Sequence, residues 1–79
     1  MFIWSDDTSD PLQMNTSDPL AMAFIGAQGK ITQTESLVRP DEEQIQPKKP
    51  YRLVVEANHG FFEENNIGEG SQAVFATSP

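Results

Sequence analysis

At 79 residues, 37% hydrophobic and with a formal charge of −7, the chain holds one small domain with little apolar surface to bury. It has no cysteine, which excludes disulfides and thiolate metal sites and leaves either a thin core or one completed by other subunits. The charge is uneven: residues 1–29 carry four Asp and no base, residues 30–52 hold all five Lys and Arg against four acids, and residues 53–79 add four Glu. Acidic ends around a mildly basic centre argue against direct nucleic-acid binding, which depends on concentrated Lys and Arg.

Residues 1–19 read as an extended arm. Phe2, Ile3 and Trp4 are apolar, but no basic stretch precedes them and Asp6-Asp7 follow, so they do not form a signal peptide. Thr8-Ser-Asp-Pro-Leu-Gln-Met-Asn15 is followed at once by Thr16-Ser-Asp-Pro-Leu-Ala-Met-Ala23, with six of eight positions repeated. Each Asp-Pro disfavours helix, because proline lacks a donor and biases the preceding residue away from the α region. The arm is therefore expected to be extended with two turns one octad apart, placing Leu12 with Leu20 and Met14 with Met22 on one side. A disordered segment that was duplicated is the alternative.

Residues 20–38 predict a hairpin: Leu20–Ile25, a connection over Gly26-Ala-Gln-Gly29, and a Thr-rich limb over Lys30–Val38. In that second limb Ile31, Gln33, Glu35 and Leu37 share one face. Neither face is properly apolar, so the strand belongs at an edge or against a partner. The longest apolar stretch, Leu20–Ala27, is far too short to span a bilayer. Residues 39–50 contain three prolines and read as an exposed connector, in which Pro40-Asp-Glu-Glu can start one helical turn. Tyr51–Ala57 is the clearest strand, with Tyr51, Leu53, Val55 and Ala57 on its apolar face. A single turn of helix is expected, near residues 41–45 or near residues 61–65, and a last strand over Ser71–Thr77. The fold expected is all-β: a small antiparallel sheet of three to four strands after residue 20, with the N-terminal arm as one unit and residues 20–79 as the other.

No residue pattern announces a reaction. His59 stands between Asn58 and Gly60 in what reads as a solvent-facing turn. Asp6, Thr8 and Asp10 alternate as calcium ligands do, but proline follows where the loop needs glycine. Glu63, Glu64, Asn65 and Glu69 have no fixed geometry either, and Gly68-Glu-Gly-Ser71 carries an acid where a phosphate cradle wants bare amides. No catalysis, cofactor or metal is expected. The candidate sites are apolar anchors for a partner: Phe2, Ile3, Trp4, Leu12, Met14, Leu20, Met22, Phe61 and Phe62, since interfaces favour aromatic residues and Met.

These features support two functional expectations. The first is a non-enzymatic assembly protein whose arm docks on a larger complex, resembling in character, with no motif behind it, the cement and minor structural proteins of virus particles. Its partners are then major capsid or tail proteins, its own oligomers a further option, and its place the virion or host cytoplasm, with no nucleic-acid or membrane contact. The second is an acidic inhibitor or adaptor occupying a basic groove on a partner.

Overall fold

Strand-forming residues and Asp-Pro punctuation together set the order of elements. The computed structural model describes residues 2–72, with side chains from residue 7 onward. The elements are β1 (Phe2–Thr8), β2 (Leu12–Gln13), β3 (Leu20–Ile25), β4 (Ile31–Leu37), a 3₁₀ turn (Pro40–Glu42), β5 (Gln44–Ile45), β6 (Tyr51–Asn58) and α1 (Phe61–Glu64). Four strands form a curled antiparallel sheet in the order β1-β6-β3-β4, and β2 pairs with β5 in a second, two-stranded sheet.

The all-β expectation is correct, and so are the hairpin and the β6 strand; β4 is at an edge among the described strands, and a short helical turn occurs at both of the places between which one was expected. Two features differ. The N-terminal arm supplies an edge strand, with Phe2 opposite Val54 and Ile3 opposite Leu53. The proline-rich connector supplies β5, with Leu12 opposite Ile45 and Gln13 opposite Gln44. Strands of two residues are too short to carry a periodic signal, which is why the sequence shows neither β2 nor β5. The strand expected over Ser71–Thr77 lies outside the described residues after Gln72, which forms an isolated antiparallel bridge with Lys30.

Both faces of the main sheet are covered, so β3 at its centre is buried from Ala21 to Ile25, each residue at most 3% exposed. On one face Met22, Phe24, Leu37, Tyr51 and Val54 pack with Ile45 of the small sheet and with Met14, which directly follows β2. On the other, Ala21, Ala23, Ile25 and Ile31 pack beneath Phe62 of α1, with Leu53, Val55, Ala57 and Ile67 at the margin. A β-bulge divides β4 between the two clusters. Phe24 pairs with Gln33 but Ile25 with Ile31, which leaves Thr32 as the extra residue. Its hydroxyl donates to the Phe24 carbonyl at 3.3 Å. Ile31 and Leu37 therefore face opposite sides, although strict alternation puts them on one.

Tyr51 also departs from the predicted face of β6. Leu53, Val55 and Ala57 stay together, whereas the Tyr51 ring meets Phe24 edge-on at 4.6 Å. Its hydroxyl donates to the Asp10 carbonyl at 2.6 Å, tying the first Asp-Pro turn to the core. Burial, and secondarily the nearby charge of Asp10, raises its phenol above the ordinary value of 10.0. The neutral phenol is thus favoured in the fold. Its contribution is complete below pH 10.0 and is lost as pH climbs through the raised folded value. Tyr51→Phe is expected to cost about 1 kcal/mol at neutral pH and to flatten the decline in stability above pH 10.0. Urea titrations on either side of that pH check this, and equal declines in both proteins would refute it.

The repeated octads fold as repeated structure. The Thr8 hydroxyl accepts from the Asp10 amide and the Thr16 hydroxyl from the Asp18 amide, both at 3.2 Å. These are the same side-chain turn used twice. Beyond each turn, Leu12 and Leu20 pack at the margin of one cluster, and Met14 and Met22 are buried inside it. The octads differ only at Gln13 against Ala21 and Asn15 against Ala23. Gln13 and Asn15 are exposed, whereas both alanines are 1% exposed on the second face of the sheet.

Candidate functional site

Three loops converge at the end of the sheet where β3 turns into β4. The first is the hairpin connection, closed by Gly26 N–H to Lys30 O and Gly29 N–H to Gly26 O, both at 3.0 Å. Gly29 takes φ +80°, a conformation that side chains rarely adopt and that the tight return requires. The second is the loop after α1. Gly70 N–H donates to Ile31 O at 2.8 Å and Ile31 N–H to Ser71 O at 2.9 Å, so this loop runs as a partner along the start of β4. The Ser71 hydroxyl accepts from Gly68 N–H at 3.1 Å and closes the loop on itself. The third is the connector before β6, whose Pro50 carbonyl lies near Gly26 and whose Lys49 borders the same space.

Gln33 fixes that connector. It is a buried polar side chain of the core, at 3% exposure. Its Nε2 donates to Glu35 Oε1 at 2.8 Å and to the Gln46 carbonyl at 3.2 Å, and its Oε1 accepts from the Lys48 amide at 2.8 Å. One amide side chain thus clamps two backbone groups of a proline-rich segment that has little pairing of its own. Lys49 follows directly after the clamp.

Between the three loops lies an open cleft of about 590 Å³, bordered by Gly26, Lys30, Thr32, Lys49, Glu69 and Gly70 among others. This is within the range of small-molecule sites, about 300–1,000 Å³. Its ionisable lining is two Lys and one Glu, a local balance of +1 on a chain of −7. Lys30 and Lys49 were not among the residues singled out from the sequence. The confinement of all Lys and Arg to residues 30–52 was the available signal, but the convergence of the loops is a product of tertiary structure.

The anchors expected from the sequence are placed differently. Phe2, Ile3 and Trp4 lie on β1, an edge of the sheet. Met14, Met22 and Phe62 are buried in this chain's own core, and Leu12 and Leu20 pack against it. Phe61 is 41% exposed beside Phe62, with ring centroids 5.4 Å apart. His59 is exposed on the turn into α1. Among the described residues no three His, Asp or Glu gather as metal ligands. Nor, among them, is any helix long and apolar enough to cross a membrane.

Residues 1–75 match the family DUF192, described as Uncharacterized ACR. No curated protein matches the sequence. The fold is similar to a crystal structure from Sinorhizobium meliloti 1021 described as a "putative transcription regulator", with a TM-score of 0.80 at 29% identity. The match covers 90% of this chain and 57% of that one, so this chain spans little more than half of its neighbour. These findings overturn the expectation of a virus-particle subunit, whether cement, decoration or minor capsid protein, and the acidic-inhibitor alternative falls with it. The physical reason for the error is plain in the core. Leucine and methionine of the repeated octads looked like unoccupied contacts, because their partners, β4 to β6, lie far along the chain.

Proposed function

This chain belongs to the DUF192 family, and we propose that it is a non-catalytic regulatory domain that acts by binding a small ligand in the cleft between its three loops. The observation that carries this reading is the cleft itself. It is of ligand size, two of its loops are joined by backbone hydrogen bonds and the third is held by the Gln33 side chain, and preformed concavity of this kind is what small-molecule sites share. The description of the structural neighbour as a regulator supports a role in control. The charge of −7 supports a part that senses over a part that contacts DNA.

Two measurements test the reading. Fluorescence anisotropy with duplex DNA at low salt is expected to show no binding tighter than about 100 µM, the weak end of ordinary non-specific affinity. A thermal-shift screen of charged and neutral metabolites should find a class that raises Tm, since a ligand at 100 times its Kd stabilises a fold by about 2.7 kcal/mol. Tight DNA binding by the chain, or a screen in which no class of compound shifts Tm, would remove the proposal.

A further inference from the structure

The charge on the cleft identifies its ligand class. Arg39 pairs with Glu42 at 3.2 Å and Arg52 with Asp7 at 2.8 Å, so both arginines of the chain have found carboxylates. The lysines have not: among the described residues none of Lys30, Lys48 and Lys49 enters an ion pair, in a sequence with twelve acids to five bases, and two of the three, Lys30 and Lys49, are at the cleft. Both border the same cleft, although they are nineteen positions apart and belong to different loops. Lysine is a compact point charge on a flexible stem, suited to meeting an oxyanion that enters between two loops. Glu69, on the loop after α1, is an acceptor available to a hydroxyl or ammonium group of the same ligand.

We propose that the cleft takes a small organic dianion, a phosphate monoester or dicarboxylate, bound through Lys30 and Lys49 with a hydrogen-bond donor of the ligand on Glu69. The inference rests on the reading of the cleft as a ligand site and adds the chemistry of its occupant. Phosphate esters and dicarboxylates share two negative charges on oxygen, and the probes separate them. Gln33 is a positioning residue in this scheme, because its hydrogen bonds to Gln46 and Lys48 hold the segment that carries Lys49.

The test is an amide-resolved NMR titration of the full chain with glucose 6-phosphate, succinate and, as a neutral control, glucose. One of the two dianions is expected to shift the amides of Lys30, Thr32, Lys49 and Gly70, and glucose is not. Lys30→Gln and Lys49→Gln should each weaken that binding about tenfold, the loss of one charge-assisted contact. Lys48→Gln removes the same charge from an exposed neighbour outside the cleft lining and should leave binding unchanged. Equal losses in Lys48→Gln and Lys49→Gln would mean a general field effect and overturn the proposal. Binding of glucose at the cleft, indifferent to both lysines, would retain the ligand site and discard the dianion. No shift from any probe at about 10 mM, weaker than millimolar Kd, would discard the dianion. The thermal-shift screen then decides separately whether the site itself survives.

Discussion

Phe24→Ala is expected to remove about 3–5 kcal/mol of stability, a quarter or more of what a domain this size has. Phe24 is fully buried on the central strand, touches Tyr51 edge-on at 4.6 Å, and belongs to the cluster that joins the two sheets. Truncating such a ring costs about 3–5 kcal/mol through lost transfer energy and the cavity left behind. At about 0.05–0.15 kcal/mol per residue, a chain this short has only about 4–12 kcal/mol in total. Collapse around the cavity offers little relief, because the ring is enclosed by β3, β4 and β6 and by the small sheet. Urea denaturation followed by circular dichroism measures the effect. A loss below about 1 kcal/mol would mean that Phe24 does not organise the core.

Gln33→Glu is expected to destabilise by about 3 kcal/mol near neutral pH and by much less in acid. The Nε2 group of Gln33 faces the Glu35 carboxylate at 2.8 Å and the Gln46 carbonyl at 3.2 Å. A carboxylate in its place has no proton to offer either acceptor and sits, 3% exposed, beside a second negative charge. Burial and like charge both raise the folded-state pKa of the new side chain above its unfolded value of about 4.3. Below that value both states are protonated and the acid O–H can still donate, so most of the clamp survives. As pH rises above it, the unfolded chain releases the proton first, and stability falls by about 1.4 kcal/mol per unit of pKa elevation. Gln33→Met removes the same hydrogen bonds without a charge. It should cost about 1–2 kcal/mol with no such slope, because Gln46 and Lys48 are exposed and can turn to water. If the Glu and Met variants show the same pH dependence, Gln33 is not enclosed as the structure has it.

The parts of the fold legible in the sequence are those whose signal is local. The β3–β4 hairpin shows in Gly26 and Gly29 between two strand-like runs, and β6 in the apolar stretch from Leu53 to Val55. The turn at Phe61 shows in the glycine and acids around it. What was not legible depends on contacts between distant residues. The arm becomes β1 only because β6 offers it an edge, and the connector gains β5 only because Leu12 and Gln13 lie opposite. The bulge at Thr32 moves Ile31 to the other face, and no alternation count contains it. The cleft was hidden for the same reason: Lys30, Lys49 and Glu69 are ordinary surface charges until three loops bring them to one place.

A chain that carries nearly the same octad twice faces a problem of identity while it folds. Either copy presents Leu and Met at the spacing that β4 and β6 accept, so a slip of eight residues would offer the wrong copy to the centre of the sheet. The two positions at which the octads differ remove that ambiguity. In the slipped arrangement Gln13 and Asn15 would enter the sites of Ala21 and Ala23, which have 1% exposure. Each amide left unpaired there would cost about 1–3 kcal/mol, and neither would fit space shaped for a methyl group. Gln13 and Asn15 are exposed where they sit, with Gln13 donating to the Asp41 carbonyl at 3.2 Å, and would be costly in the slipped register that the repeat allows.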